Sequence, residues 1–600
     1  MNENLALCWY NLSVYVTTKK RNFYGKQKIH RVKLLNNVSG IMKTGTLSAI
    51  MGPSGAGKTT LLAAISQRIT GNITGEIHLN GHPVDKELML KICGFVPQKD
   101  LALQGLTVKE HLFFMAQLKM DRRVSLVQQT RIINSLVEDL SLKTCYFTLL
   151  ANLSGGEEKR VCLAVQMLTD PPMLICDEPT TGLDSYTASN VIGLLRQLSS
   201  RGKAVLCTVH QPASGIFEMF DTVSLLVPGG RLAYFGDVLD AKKYFSQLGL
   251  ICPPAYNTAE FVVKQLNTLP DKLHEKFKTS NNYTELLHEI DSAKKSIHNY
   301  QLVYGMDETF LKFYSVQKQS QKTQLRLLMW RSALVLLRNF KKILLRMVLY
   351  MVTAILISAP YIGTKFNQEG IQNIQGLNYS VITETVFTQS YAVMHTFPSE
   401  IPILLREIGN GVYKPIPYYI SKVVLLIPQA IIETLLFCLI IYCLVETKQE
   451  INNFFVFSTP VIISAIASSA YGCCISAMFD NISVASMISV PVDFISYTFS
   501  GIFIQLSTVP FYLSWIKYIS RFYYGVEALS ILQWQNIDNI PCSPNPDLPC
   551  IHTGEMVLQN YGYKSTNLYW DLYSLIFMCM ALHTLGYFFF LKRSRAQSAY

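Results

Sequence analysis

An α/β domain followed by an all-α membrane domain of six helices is the fold this 600-residue sequence predicts. Three observations carry that prediction. The apolar run Leu47–Met51 breaks into a glycine-rich loop and resumes as a helix-like stretch from Leu61, the order strand, loop, helix. Further short apolar runs end in polar or acidic residues, as strands of a covered parallel sheet do. From about residue 325 the apolar runs lengthen to about 20 residues or more, the length that crosses a hydrocarbon core.

A chain this long needs at least two cores. Composition divides it into a soluble domain over 1–265, a polar linker with helical segments over 266–325, and a membrane domain over 326–600 with an outer loop over about 507–567. The net charge is +12, yet no basic run with interleaved aromatics forms a nucleic-acid module. Much of the excess crowds the first span: Lys318, Lys322, Arg326, Arg331, Arg338, Lys341, Lys342 and Arg346 read as cytoplasmic charges that keep the soluble half in the cytosol. The start, Met1 to Asn4, lacks the pattern of a secretory leader. Of 14 cysteines, only Cys542 and Cys550, in the last loop, make a candidate disulfide, within the chain or between chains.

The glycine loop comprises Gly52, Pro53, Ser54, Gly55, Ala56, Gly57, Lys58, Thr59 and Thr60. Its spacing lets successive backbone N–H groups turn onto a polyphosphate, and the following helix adds its positive end. Lys58 would then reach the β- and γ-phosphates and the Thr59 hydroxyl would be a ligand of Mg²⁺. Strand-like runs over residues 9–50 and from Gly75 to Gly81 fit a small antiparallel subdomain, on which Tyr15 is a weak candidate for stacking on adenine. Gln98 ends another apolar run, where an amide can sense Mg²⁺ or the attacking water. Leu153, Ser154, Gly155, Gly156 and Glu157 precede an apolar helix and form a second anion site. The strand from Met173 ends in Asp177, expected to hold Mg²⁺, and Glu178, expected to polarise the water that attacks the γ-phosphate. Leu183 and Asp184 follow, then His210 at the end of one more strand, within reach of the γ-phosphate.

In this order the motifs resemble those of the ATP-binding cassette ATPases: Walker A, Q-loop, signature, Walker B, D-loop and switch histidine. The resemblance implies a P-loop ATPase with a RecA-like core, an antiparallel β subdomain and a helical subdomain. It also implies that ATP and Mg²⁺ are bound between Walker A of one domain and the signature of a second. One chain supplies one such domain, so a partner is implied. The ATPase domain precedes the membrane domain, and the stretch Cys252 to Phe261 resembles the element closing this domain in the G subfamily, the White-type half-transporters. Glu157 stands where many family members carry Gln, a replacement common in this subfamily.

Six spans are expected at about 343–363, 377–397, 418–445, 454–479, 482–506 and 568–591, which returns the C-terminus to the cytosol. The second is the most polar, with Thr383, Glu384, Thr385 and Gln389. The basic stretch Gln324–Lys342 reads as an amphipathic helix at the membrane surface or against protein. Residues 397–413 resemble the loop that couples span movement to the ATPase in this subfamily, and Gly501 to Leu529 its re-entrant and outer stretch. Asn378 lies in a glycosylation acceptor sequence close to the membrane. Glu433 and Asp493 fall mid-span, where a carboxylate needs protein or water beside it; with Phe494 they are candidates for the transport path.

These features predict an ATP-driven half-transporter, working as a homodimer or with another G-type chain. It would export lipophilic or amphipathic small molecules such as lipids, sterols or xenobiotics, with the plasma membrane the expected location and a vesicle membrane the alternative. The rivals are an obligate heterodimer loading pigment precursors into granules, and a membrane ATPase that regulates a partner without transport. A soluble cassette acting on ribosomes or DNA is disfavoured by the spans.

Overall fold

The computed structural model describes residues 5–21, 27–69, 71–98, 103–210, 212–213, 215–253, 256–295, 317–394, 396–445, 451–479, 481–504, 506–541 and 550–596. It divides into two compact units. One holds the chain up to Ser320 together with Leu405–Tyr413, and the other holds Gln321–Leu404 and Lys414–Ala596.

In the first unit, β1 (Ala6–Arg21), β2 (Gln27–Lys43), β4 (Asn72–Leu79) and β5 (His82–Pro83) form an antiparallel sheet in the order β2-β1-β4-β5. A second sheet has the order β10-β9-β3-β8-β7-β6. Its strands β3 (Leu47–Met51), β6 (Cys93–Val96), β7 (Met173–Cys176) and β8 (Ala204–Thr208) are buried throughout. That is why they read as unbroken apolar runs. The pairs β6–β7, β7–β8, β3–β8 and β3–β9 (Thr222–Val227) are parallel, and β10 (Arg231–Asp237) closes one edge antiparallel. The carboxyl ends of β3, β6, β7 and β8 therefore rise on one side of the sheet, where an open α/β fold places its ligand.

Among the described residues, eight helices join or cover these strands before residue 269: α1 (Lys58–Ile65), α2 (Lys86–Ile92), α3 (Val108–Lys119), α4 (Leu126–Asp139), α5 (Gly155–Met167), α6 (Ser185–Ser200), α7 (Val238–Gln247) and α8 (Thr258–Thr268). The stretch expected as linker begins differently. Residues 270–295 form α9 (Pro270–Lys278) and α10 (Asn281–Lys295), which bury Leu273, Phe277, Leu286 and Ile290 against β10, β1 and β2. Sequence missed this because only two apolar residues per helix face inward. Ion pairs Lys43–Glu289 at 2.9 Å and Lys294–Glu76 at 2.7 Å flank the contact.

The second unit is helical: α11 (Gln321–Arg338), α12 (Phe340–Ser358), α13 (Gln368–Met394), α14 (Thr396–Gly409, whose last turn belongs to the first unit), α15 (Pro415–Leu444), α16 (Ile451–Met478), α17 (Ile482–Tyr497), α18 (Arg521–Trp534), α19 (Gly554–Tyr561) and α20 (Leu568–Ala596). Among the described residues, five helical stretches are long and apolar enough to span a membrane: Phe340–Tyr361, Pro415–Leu444, Asn453–Met478, Ile482–Ile502 and Ser565–Arg595. The third is the inner helix, with 78% of its apolar window buried against at most 33% in the others.

The second expected span, α13, is not among the five, although 27 residues are about 40 Å of helix and long enough to cross. Gln375, Asn378, Thr385, Gln389 and Ser390 on it are buried against protein. Gln375 donates to Ser530 Oγ at 2.8 Å, Gln389 to Glu433 Oε2 at 3.1 Å, and the hydroxyls of Tyr379 and Tyr563 meet at 2.8 Å. Asn378 is also fully buried, so the folded chain offers no glycan acceptor there. Leu327, Leu328 and Arg331 of α11 are buried, and this helix packs on α15, which answers for protein contact on the face they occupy. After α17 the helix widens into a π turn over Thr498–Ile502, broken at Gly501 with φ 101°.

Candidate functional site

The loop after β3 is shaped by its glycines. A Cβ on Gly52 would stand 2.3 Å from the Leu226 carbonyl oxygen, and Gly57, with φ +89°, is left-handed where α1 begins. Lys58 is buried and folds back over the loop, donating to the carbonyls of Gly52 at 2.9 Å and Pro53 at 3.2 Å. Burial pulls its ammonium below the ordinary lysine range, partly offset by Glu178 and Asp177 nearby. Ser54, Gly55 and Thr59 are exposed.

Strand ends bring the other groups to this loop. Asp177 follows β7 and its backbone N–H bonds Val96 O at 2.8 Å, which ties it to the end of β6. Its Oδ1 accepts from Thr59 Oγ1 at 3.2 Å and from Thr208 Oγ1 at 2.6 Å. Burial raises the Asp177 carboxyl above its ordinary range, while these two hydroxyls oppose the rise. Glu178 has a left-handed backbone, φ +45°, which is uncommon outside glycine. Its N–H donates to Thr208 Oγ1 at 2.8 Å, and its Oε2 accepts from Gln98 Nε2 at 2.6 Å and Thr181 Oγ1 at 2.9 Å. Lys58, Thr59, Gln98, Asp177 and Glu178 thus form one constellation.

Three further side chains belong to it and were not singled out from sequence. Thr208 links both carboxyl residues, Thr181 holds Glu178, and the buried Lys159 donates to the backbone carbonyls of Pro97, at 3.2 Å, and Gln98. His210 ends the same edge, half-buried, with no hydrogen bond to Glu178 among the described residues. Tyr15 lies under the Lys33 ammonium, 5.5 Å from its ring centre.

The signature residues form a separate cluster. Ser154 caps α5 in a reciprocal box with Glu157: Ser154 N–H and Oγ donate to Glu157 Oε2 at 2.9 and 2.7 Å. The Ser154 N–H first, then its hydroxyl, hold the Glu157 carboxyl below the usual range. Gly156 is buried so closely against α6 that a Cβ would come within 2.3 Å of Thr187 Cγ2, while Gly155 faces Leu183. Asp184 caps α6 by accepting from Thr187 N–H at 3.1 Å. Leu153 is half-buried, and Ser154 and Gly155 are exposed.

The membrane carboxylates are neutralised inside the second unit. Glu433 pairs with Arg346 and accepts from Gln389 at 3.1 Å and Gln429 at 3.0 Å. Asp493, fully buried, accepts from Arg521 at 2.6 Å, Ser489 at 3.1 Å and Tyr391 at 3.4 Å, and the Arg521 guanidinium lies 3.8 Å from the Tyr471 ring centre. The two acids do not share a partner. Phe494 beside Asp493 is exposed. Cys550 is disulfide-bonded, and Cys542 lies outside the described residues.

The first unit matches the ABC transporter family over residues 35–181, and two ABC-2 type transporter families match residues 210–286 and 323–534. Protein scarlet of Drosophila melanogaster is 34% identical, an alignment that spans 99% of this chain and 90% of that protein. Protein white of Ceratitis capitata is 33% identical over 99% and 91%, and the Caenorhabditis elegans ABC transporter ATP-binding protein/permease wht-1 30% over 99% and 93%. The chain belongs to the White-type G subfamily of ABC transporters. It is an integral, multi-pass membrane half-transporter whose ATPase domain binds nucleotide and hydrolyses ATP to drive transport.

Mg²⁺ fits the constellation of the first unit. Thr59 Oγ1 and Asp177 Oδ1 meet as hard oxygen donors, and the Gln98 amide stands beside Glu178. Among the described residues there is no cluster of three or more His, Cys, Asp or Glu able to hold a metal.

Proposed function

We propose that two such chains, or one with another G-type chain, close on two ATP molecules and move a lipophilic or amphipathic small molecule outward. The observation that carries the dimer is exposure. The phosphate loop at Ser54, Gly55 and Thr59 and the signature at Ser154 and Gly155 both open to solvent as halves of a site. Each P-loop takes the phosphates of one ATP on Lys58 and its backbone N–H groups, and Ser154 to Glu157 of the second chain cover the γ-phosphate. Thr59, Asp177 and Gln98 would hold Mg²⁺, which would supply neutralisation of the phosphate charge. Glu178, held by Gln98 and Thr181, orients the attacking water and accepts its proton, and His210 contacts the γ-phosphate.

The apolar substrate class is supported by the fate of the intramembrane acids. Arg346 and Arg521 consume the charge of Glu433 and Asp493, while Phe494 and Phe503 remain exposed. In this reading residues 397–413 carry the movement between units, both termini and the ATPase face the cytosol, and the membrane is the plasma membrane. In the same reading the ATPase domain extends past the expected limit of 265 to take in α9 and α10, and the membrane domain begins near residue 321.

The test is ATP hydrolysis by this chain expressed alone in lipid discs. Activity that falls by roughly 10²- to 10⁴-fold in Glu178→Gln means two copies suffice. Silence from a well-folded sample rules out the homodimer and directs the search to a second G-type chain.

A further inference from the structure

Glu527, on α18, and Asp571, in the first turns of α20, are 1% and 2% exposed. Their side chains interact directly. Glu527 Oε1 accepts from Lys564 N–H at 3.2 Å and Asn567 Nδ2 at 3.1 Å. Its Oε2 and Asp571 Oδ2 are buried with no donor at full hydrogen-bond geometry, and the neutral Tyr523 hydroxyl, one turn earlier on α18, is the group that reaches toward Glu527. Among the described residues no basic group pairs with either, unlike Glu433 and Asp493 in the same unit.

Lys517 borders the site, its ammonium 5.5 Å from the Tyr523 ring centre, but among the described residues it makes no ion pair with either acid. Arg521, two turns before Glu527, is held by Asp493. Tyr523, Tyr524 and Tyr563 face the pair and are neutral near pH 7. Inner helix α16, packed on both α18 and α20, has no acidic or basic residue between Ile451 and Met478. On α13, Glu384 takes the Thr388 hydroxyl instead, and Glu555 of α19 and the Lys564 side chain are exposed. Two ionised carboxylates enclosed together repel without compensation, and one proton between them supplies the missing donor to both orphan oxygens.

We propose that Glu527 and Asp571 form a proton-binding site, a carboxyl–carboxylate pair that keeps one proton at neutral pH and joins α18 to α20 through it. The proton belongs to the pair rather than to either carboxyl alone. Linkage gives the sign. The folded pair holds a proton that the unfolded carboxylates release at neutral pH, so stability falls as pH rises until the pair itself titrates, about tenfold in the unfolding equilibrium per pH unit.

The test uses the whole chain in lipid discs, read by infrared spectroscopy and by apparent melting temperature against pH. The unmutated chain is expected to show the carbonyl stretch of a protonated carboxylic acid at neutral pH, shifted by ¹³C-labelled aspartate or ¹³C-labelled glutamate. Asp571→Asn is expected to remove that component and to flatten the melting temperature against pH, because the amide donates permanently. A spectrum without a label-sensitive acid band overturns the site, even if no variant folds. A band and pH slope unchanged in both Asp571→Asn and Glu527→Gln overturn it as well.

Discussion

Arg521→Leu tests whether Asp493 is a structural ion or part of the transport path. The guanidinium is 4% exposed and its carboxylate partner 0%, at 2.6 Å, so neither charge reaches water. Removing the cation leaves Asp493 with two neutral donors, Ser489 at 3.1 Å and Tyr391 at 3.4 Å. Breaking a buried pair from one side costs about 3–5 kcal/mol, because the remaining charge is stranded. The cation–π contact with Tyr471, at 3.8 Å, adds roughly 1–2 kcal/mol at a desolvated site. Asp493→Asn strands less, since Arg521 keeps that ring and the Ser390 hydroxyl at 3.3 Å. The assay is the apparent melting temperature of the purified chain. Arg521→Leu should fall by on the order of 10 °C and Asp493→Asn by less. The double variant should recover part of the loss, a coupling that only direct partners give. Equal melting temperatures in all four proteins, with altered substrate preference in Asp493→Asn, would refute the structural reading.

Co-expressing Lys58→Ala and Gly155→Asp chains should restore roughly a quarter of wild-type ATPase although each alone is inactive, because half the dimers are mixed and carry one intact composite site; no recovery would argue against sites shared between chains. The Asp177 carboxyl is raised by burial and must be ionised to hold Mg²⁺, so activity should fail on acidification at a pH above the ordinary aspartate value of about 3.9. A pH profile whose acid limb does not move when Mg²⁺ is raised would count against that assignment. Gly156→Ala would drive a methyl into Thr187, 2.3 Å away, and should cost about 1–3 kcal/mol and slow hydrolysis, read by melting temperature and turnover together.

The nucleotide constellation was legible because its chemistry is written in short stretches. Gly52 to Thr60 and Asp177 with Glu178 each sit at the end of one strand, so spacing alone announces them. Thr208 was invisible for the opposite reason. It is one hydroxyl at the end of an apolar strand, and its role exists only because β8 lies beside β7, with Cys207 in register with Cys176. Lys159 likewise looks like a surface charge after the signature until α5 carries it to the Gln98 carbonyl.

The membrane half shows how one rule hides another. Intramembrane acids stand out by their cost, and Glu433 and Asp493 were visible for that reason. Their partners were not: Arg346 counted as one more cytoplasmic charge ahead of the first span, whereas it turns inward to Glu433. The same mixing weakens the signal of α13, which reads as a span over about 377–397 although its glutamines and hydroxyls, meeting protein, keep it out of the five most apolar stretches. Glu527 and Asp571 lay deeper still, since Asp571 sits in a first helical turn where an acid is ordinarily a solvated cap, and Glu527 lies mid-helix in a stretch too short and mixed to read as a span. Only their enclosure separates them from the other carboxylates. Where acids are matched by arginine, the membrane unit holds closed ion pairs. Where two acids are matched only by each other, its stability must depend on a proton.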